Sequence, residues 1–307
     1  MEIIRGRNNL KPTQRGAVVT IGNFDGVHLG HQAILSRVRD KSDELGVPSM
    51  LICFEPQPQE FFRTFNAPAR LTRFREKMEL LAAHGVDLVL CVKFDEETRT
   101  MSADGFIDIL ANDIGTSALF VGDDFRFGAD RTGDFDRLKA AGEANGFPVT
   151  NMYTLSHDDL RVSSTRIREC LQAGDFELAE QLLGRPYWIV GRVVYGRQIG
   201  RTLGVPTANI ELHRHRAPID GVYTVETEID NVVYHGVANV GVRPTLEETT
   251  PKPILEVHLF DFSGEIYGQY LRVVFRTKLR EEKKFDGLEE LKAAIFQDIS
   301  RARDFFS

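Results

Sequence analysis

The chain has 307 residues, room for two domains at roughly 150 residues each, and its 42% hydrophobic and 27% charged composition excludes a disordered or collagen-like chain. Thirty-eight Lys and Arg against 45 Asp and Glu leave a net charge of −7, which opposes a broad nucleic-acid or anionic-lipid surface while leaving room for a local cationic phosphate pocket. No apolar run reaches the roughly 18 residues of a membrane helix, no signal-peptide core is expected, and Cys53, Cys91 and Cys170 follow no disulfide or zinc spacing, so a reducing cytoplasm is the expected compartment.

In the first half, short runs at 17–21, 50–54, 88–94, 119–121 and 149–153 read as strands, each nearly all apolar as in a parallel strand covered on both faces. Cys53 and Cys91 fall within these runs and are expected to pack rather than react. Helical periodicity fills the intervals near 30–45, 73–84, 103–113 and 134–145; in the first, Ile34, Leu35 and Val38 share one face. This alternation predicts an open, doubly wound α/β domain whose ligand site lies beyond the carboxyl ends of its strands. Two more helices are predicted at 164–172 and 175–183, and the pattern changes at Gly184-Arg185-Pro186. From Tyr187 onward period-two alternation takes over: Leu255, Val257 and Leu259 face one way, Glu256 and His258 the other. Residues 222–229, the turn-prone Asp230-Asn231 and 232–240 read as a hairpin, and without crossover helices this half is an antiparallel barrel or sandwich. His213-Arg214-His215 is expected to be an exposed loop, and a closing helix carries Leu288, Leu291, Ile295, Ile299 and Ala302 on a stripe that needs a cover. The predicted division is 1–185 and 186–307.

Three groups of residues suggest chemistry. Directly after the first strand, Gly22-Asn23-Phe24-Asp25-Gly26 leads to His28-x-Gly30-His31 at a strand-to-helix turn, where glycines admit a phosphate and the helix amino end supplies free N–H donors. The two imidazoles stand about one helical turn apart and can both donate to one phosphoryl group; the alternative is a generic loop with incidental histidines. Downstream, Arg161, Ser164, Thr165, Arg166 and Arg168 open another helix, either as a polyphosphate grip or as a Ser/Thr cap on a basic helix. The pairing of HxGH with SSTRIR resembles the HxGH nucleotidyltransferase superfamily, which transfers AMP or CMP from a nucleoside triphosphate and releases pyrophosphate.

The third group heads the strand-rich half: Gly191, Gly196, Gly200 and Gly204 with Arg192, Arg197 and Arg201, then Pro206-Thr207-Ala208-Asn209. It lacks the Gly-Lys-Ser/Thr ending of a Walker loop. Thr207 and Asn209 offer two neutral oxygens to one Mg²⁺, or another divalent ion, while the glycines can wrap phosphates; a purely structural Gly-rich loop is the alternative. From this loop through 221–223, 239–245, 255–258 and 278–285 to the final helix, the second half resembles riboflavin kinase. The first half resembles the FMN adenylyltransferase branch, adding 54–58, Arg70-Leu71-Thr72 and 121–128, the last containing Asp124, Phe125 and Phe127. Together they are similar, over nearly the whole chain, to the bacterial bifunctional riboflavin kinase/FAD synthetases.

That resemblance implies a Rossmann-like HxGH domain with a parallel sheet, an antiparallel β-barrel kinase domain with a terminal helix, and the conversion of riboflavin to FMN and FMN to FAD by ATP. It implies His28 and His31 at the α-phosphate, Ser164, Thr165 and Arg168 on the departing pyrophosphate, and Glu256 as the base for the riboflavin hydroxyl, with Mg²⁺ in both reactions. Phe54, Pro56, Pro58, Phe62, Phe125 and Phe127 are candidate flavin contacts, though each is also a plausible core residue. Partners are then small molecules, with neither nucleic acid nor membrane, and a chain starting near Arg185 makes FMN if the barrel folds by itself. Two rivals remain: an HxGH enzyme of different acceptor fused to a nucleotide-binding barrel, and a non-catalytic flavin sensor or store.

Overall fold

A computed structural model describes residues 1–153, 155–157, 160–196, 204–243 and 252–307. In chain order the first half runs β1 (Glu2–Arg5), β2 (Val18–Ile21), α1 (Leu29–Leu45), β3 (Ser49–Glu55), α2 (Pro58–Arg63), α3 (Phe74–Ala83), β4 (Leu88–Lys93), α4 (Glu96–Thr100), α5 (Ala103–Asp108), β5 (Ala118–Gly122), α6 (Phe135–Asn145) and β6 (Val149–Met152). A short hairpin, β7 (Ser156–His157) and β8 (Leu160–Arg161), and two helices, α7 (Ser164–Ala173) and α8 (Phe176–Leu183), precede the strand-rich half. That half contains β9 (Trp188–Val194), β10 (Ala208–Glu211), β11 (Gly221–Ile229), β12 (Val232–Arg243), β13 (Lys252–Leu259), β14 (Tyr270–Arg280) and α9 (Leu288–Phe306). Two compact units result, Met1–Pro68 with Lys77–Ser163, and Ala69–Glu76 with Ser164–Ser307.

In the first unit the apolar runs form a six-stranded parallel sheet ordered β1-β4-β3-β2-β5-β6. Both faces are covered, as the all-apolar strands require: Val19, Ile21, Met50, Ile52, Leu90, Leu119 and Val121 pack with Phe106 and Leu110 on one side, Val18, Ala118 and Phe120 with Val38 on the other. Helix ends follow local chemistry. Asp134 caps α6 by accepting from the Arg137 N–H at 3.0 Å, and Gly46 and Gly146 end α1 and α6 in the left-handed conformation. Strand order reverses at β2/β5, so the β2–α1 turn and the segment after β5 open on the crevice where open α/β sheets bind ligands. The 103–113 interval, expected as one helix, is α5 followed by a π-helical turn at Ile109–Asp113.

The second unit settles the choice between barrel and sandwich. Six antiparallel strands close in the order β10-β13-β12-β11-β14-β9. Asp230 and Asn231, both at positive φ, form the predicted hairpin tip between β11 and β12. The rings of Tyr223 and Phe275 pack against Phe176 of α8, which explains why α8 groups with the barrel although its sequence reads as a continuation of the α/β half. Ile299 and Ala302 of α9 cover Val222, Val237, Phe260 and Leu279, and Asp298 is buried against Arg280, which donates from Nη2 at 2.8 Å. The cover is partial, because Leu288 at the start of the stripe is 57% exposed.

The His213-Arg214-His215 expectation is corrected in its middle residue. His213 and His215 are exposed, but Arg214 turns inward, its side chain 3% exposed, and donates from Nη2 to both carboxylate oxygens of Glu76 at 3.1 and 3.0 Å. Glu76 also accepts from the Val190 N–H at 2.9 Å and the Arg73 N–H at 2.5 Å, so this buried carboxylate is fully engaged. Around it, the Tyr187 hydroxyl donates to the Leu71 carbonyl, Arg214 Nη1 to the Arg70 carbonyl and Arg168 Nε to the Ala69 carbonyl. A chain starting near Arg185 lacks Ala69–Glu76 and leaves the Arg214 guanidinium buried without its carboxylate. In the full chain, Glu76→Ala is expected to cost about 3–5 kcal/mol, the usual penalty for stranding a buried charge. Urea unfolding followed by the fluorescence of Trp188, the single tryptophan, checks this; an unchanged midpoint refutes it.

Two candidate active sites

The first site is built on the β2–α1 turn. Phe24, Gly26 and Val27 have φ of 48°, 86° and 42°, left-handed values that are costly for Phe and for β-branched Val and that concentrate where a turn is shaped for function. His28 is the N-cap of α1: its Nδ1 accepts from the His31 N–H at 3.4 Å. Nδ1 therefore carries a lone pair, and the ring proton of neutral His28 sits on Nε2, ready to donate outward. The His28 and His31 rings stack at 3.6 Å and 17°, and Phe24 stacks on His31 at 4.5 Å, so three parallel planes hold the two imidazoles in one orientation. A Cβ at Gly30 would lie 3.3 Å from the His28 ring, so glycine is what lets helix and imidazole approach. Buried Asp25 completes the turn, and Lys77 of α3 donates to the Asn23 carbonyl at 3.1 Å. Burial, then the charges of His28 and Lys77, hold His31 well below the ordinary imidazole value of 6.5, and its buried Nδ1 has no hydrogen-bond partner.

Across the switch point, Asp124 follows β5 and meets Arg161, which donates to it at 2.7 Å, with Asp123 at 3.7 Å. Phe127 belongs to the core, its buried ring tilted against Phe106, with Phe125 stacked at 5.9 Å. Phe62 instead is 62% exposed and joins Phe61, Phe94 and Phe54 in an edge-to-face cluster beside Pro56 and Pro58.

The second site lies in the barrel unit. Asn209 of β10 is the register partner of Glu256 on β13, and Glu256 in turn of Asn239 on β12, so three polar side chains form one row across three strands. That row belongs to the strand face opposite the buried Leu255 and Val257. Gly196 presses on the Asn209 carboxamide, where a Cβ would fall 2.6 Å from Oδ1, whereas Gly191 serves packing of β9 on β10. Gly204 turns at φ 79° with open space around it. Pro206 is exposed, its carbonyl 2.8 Å from His258 Nδ1, and Thr207 is half-buried beside it. Neutral Thr207 and Asn209 oxygens suit a hard cation that takes most of its ligands from phosphate and water; among the described residues no cluster of His, Cys, Asp or Glu forms a dedicated cage. Arg197, Gly200 and Arg201 lie outside the described residues.

Family comparison follows the same halves. The model described as FAD synthetase matches residues 10–166 and that described as riboflavin kinase matches 183–306. A bifunctional riboflavin kinase/FMN adenylyltransferase from Pseudomonas fluorescens is 53% identical over 304 residues, 99% of this chain and 97% of that one. This chain belongs to the bifunctional riboflavin kinase/FMN adenylyltransferase family. Another protein of that name, from Escherichia coli K12, is 48% identical over 309 residues, covering 100% of this chain and 98% of its own. A crystal structure described as a macrolide-efflux protein from Streptococcus pneumoniae matches with a TM-score of 0.83 at 28% identity over 99% of each chain. Among the described residues no helix is long and apolar enough to cross a membrane.

The sequence candidates thus gather unevenly. Gly22 to His31 form one turn, Asp124 joins Arg161, and Thr207, Asn209 and Glu256 share the barrel site, while Ser164, Thr165 and Arg168 at the start of α7 group with the barrel unit. Sequence reading included Asn239 and His258 only as members of matching segments and passed over Lys77, which left a local signal, a lysine interrupting the apolar stripe of Phe74, Met78 and Leu81. Because folded His31 resists a proton that the unfolded chain takes up near pH 6.5, stability is lost as pH falls below about 6.5, and His31→Gln is expected to flatten that loss in calorimetric melts. Gly196→Ala is expected to displace Asn209 and raise the KM of riboflavin kinase for ATP while FMN adenylylation keeps its rate, which separate assays with riboflavin and with FMN measure.

Proposed function

We propose that the two reactions of this enzyme are divided near Gly184 to Pro186, with adenylyl transfer served by the β2–α1 turn and α7, and phosphorylation by the barrel. The enzyme phosphorylates riboflavin with ATP to give FMN, then joins FMN to AMP from a second ATP to give FAD and pyrophosphate. The observation that supports the barrel's part in this division is the Asn209–Glu256–Asn239 row, which sets a strand carboxylate beside the Asn209 amide within the barrel unit.

In the kinase step the riboflavin primary hydroxyl attacks the γ-phosphorus, the bond to the β,γ-bridging oxygen breaks, and ADP leaves. Glu256 accepts the hydroxyl proton late in the transfer, because the alcohol needs a base where phosphate does not. Thr207 and Asn209 would hold Mg²⁺, which when bound supplies charge neutralisation of the phosphates. In the adenylyl step an FMN phosphate oxygen attacks the α-phosphorus and the bond to pyrophosphate breaks. That nucleophile is already anionic, so His28 and His31 act as donors that stabilise developing charge rather than as bases; the Nε2–H tautomer of His28 and the neutrality of His31 suit this role. Arg161, Ser164, Thr165 and Arg168 contribute to the grip on ATP, and Pro56, Pro58 and Phe62 to that on flavin. Three free cysteines suit a reducing cytoplasm, and the acidic chain suits small-molecule partners rather than nucleic acid.

Removing one donor at such a site typically costs about 100-fold to 1,000-fold. His28→Ala is expected to lose FAD formation from FMN on that scale and retain FMN formation from riboflavin; Glu256→Ala is expected to do the converse. Chromatography of products over time reads both, and loss of both activities in His28→Ala would sink the two-site reading.

A further inference from the structure

One buried cation has no part in the chemistry so far. Lys77 is 0% exposed, and among the described residues its one hydrogen-bond acceptor is the Asn23 carbonyl, with no carboxylate in ion-pair reach. An ammonium carries three N–H donors, and burying it with one neutral acceptor is expensive unless an anion completes the set. The fold alone does not require it: a Met would continue the stripe of Met78 and Leu81 at no such cost. The position is also informative. Lys77 secures the residue that follows Gly22 in the strained turn, and its charge is felt at His31 and at the thiols of Cys53 and Cys91 on β3 and β4. It therefore lies among the carboxyl ends of the central strands, where an open α/β sheet receives its ligand.

We propose that Lys77 belongs to the phosphate site of the adenylyltransferase: it fixes the Asn23 carbonyl, and the polyphosphate of the nucleotide is the anion its ammonium lacks. This rests on the reading of the β2–α1 turn as the adenylyl-transfer site. A residue kept for a ligand behaves differently from one kept for the fold, because its replacement by an apolar isostere relieves the unliganded protein and harms the liganded one.

The test uses the full chain, wild type against Lys77→Met and Lys77→Arg, with inorganic pyrophosphate as the probe in calorimetric melts and both activities assayed. Lys77→Met is expected to melt no lower than wild type without pyrophosphate and to lose at least half of the upward shift that pyrophosphate gives. Its FMN adenylylation should fall roughly 100-fold in kcat/KM for ATP, a loss typical of one charged donor, while riboflavin phosphorylation keeps its rate. Lys77→Arg is expected to recover part of both. Two results overturn the proposal: Lys77→Met melting below wild type without pyrophosphate, the mark of a purely structural lysine, or Lys77→Met with wild-type adenylylation and pyrophosphate shift. His28→Ala run alongside separates the two levels, since full adenylylation in that variant removes the site itself, whereas its loss together with a wild-type Lys77→Met removes Lys77 alone.

Discussion

The barrel unit depends on a carboxylate that lies far from it in the sequence. Glu76, 138 residues before Arg214, is buried with that guanidinium and with the Val190 N–H, so the unit is complete only with Ala69–Glu76 in place. An ion pair taken out of water contributes little net stability by itself, because desolvation offsets attraction, but it is unforgiving of partial loss. The same short segment also satisfies Tyr187 and Arg168 through the Leu71 and Ala69 carbonyls, and Arg214 again through that of Arg70. The kinase family match begins at residue 183, so the segment that satisfies Arg214 falls within the FAD synthetase match, residues 10–166.

The two candidate sites are built in physically different ways. In the α/β unit the backbone itself is bent into left-handed values at Phe24 and Val27, and the imidazoles are fixed by stacking and capping before any ligand arrives, which is the preorganisation that charge stabilisation demands. In the barrel the candidate site is a row of side chains that register alone aligns. Slipping β13 by one residue would put Leu255 or Val257 where Glu256 stands and bury the carboxylate, so the closed hydrogen-bonded barrel is also the device that fixes which way this carboxylate faces.

Local patterns were legible in the sequence and remote partners were not. Strands β2 to β6 and the β11–β12 hairpin announce themselves through apolar runs, alternation and the Asp230-Asn231 tip, because those signals are complete within a few residues. β1 is silent: with Ile4 its one buried residue, it is a strand only because β4 offers an edge. The same contrast divides the sites. Gly22 to His31 can be read as a phosphate turn from one contiguous stretch, whereas Asn239 joins Glu256 only through barrel register, and Arg214 reads as surface because nothing near it shows the carboxylate that draws it inward. Phe127 is the reverse case, an aromatic whose place beside the functional segment suggested a ligand contact but whose ring completes the core.

His28 is both the cap of α1 and a ring of the stacked imidazole pair proposed to serve adenylyl transfer. Active residues commonly cost stability, which leaves room for drift toward sturdier, less active variants. Position 28 closes that route. Its imidazole satisfies an end of the helix that an aliphatic replacement would leave open, so under the proposed role selection for a durable chain and selection for a competent one favour the same side chain.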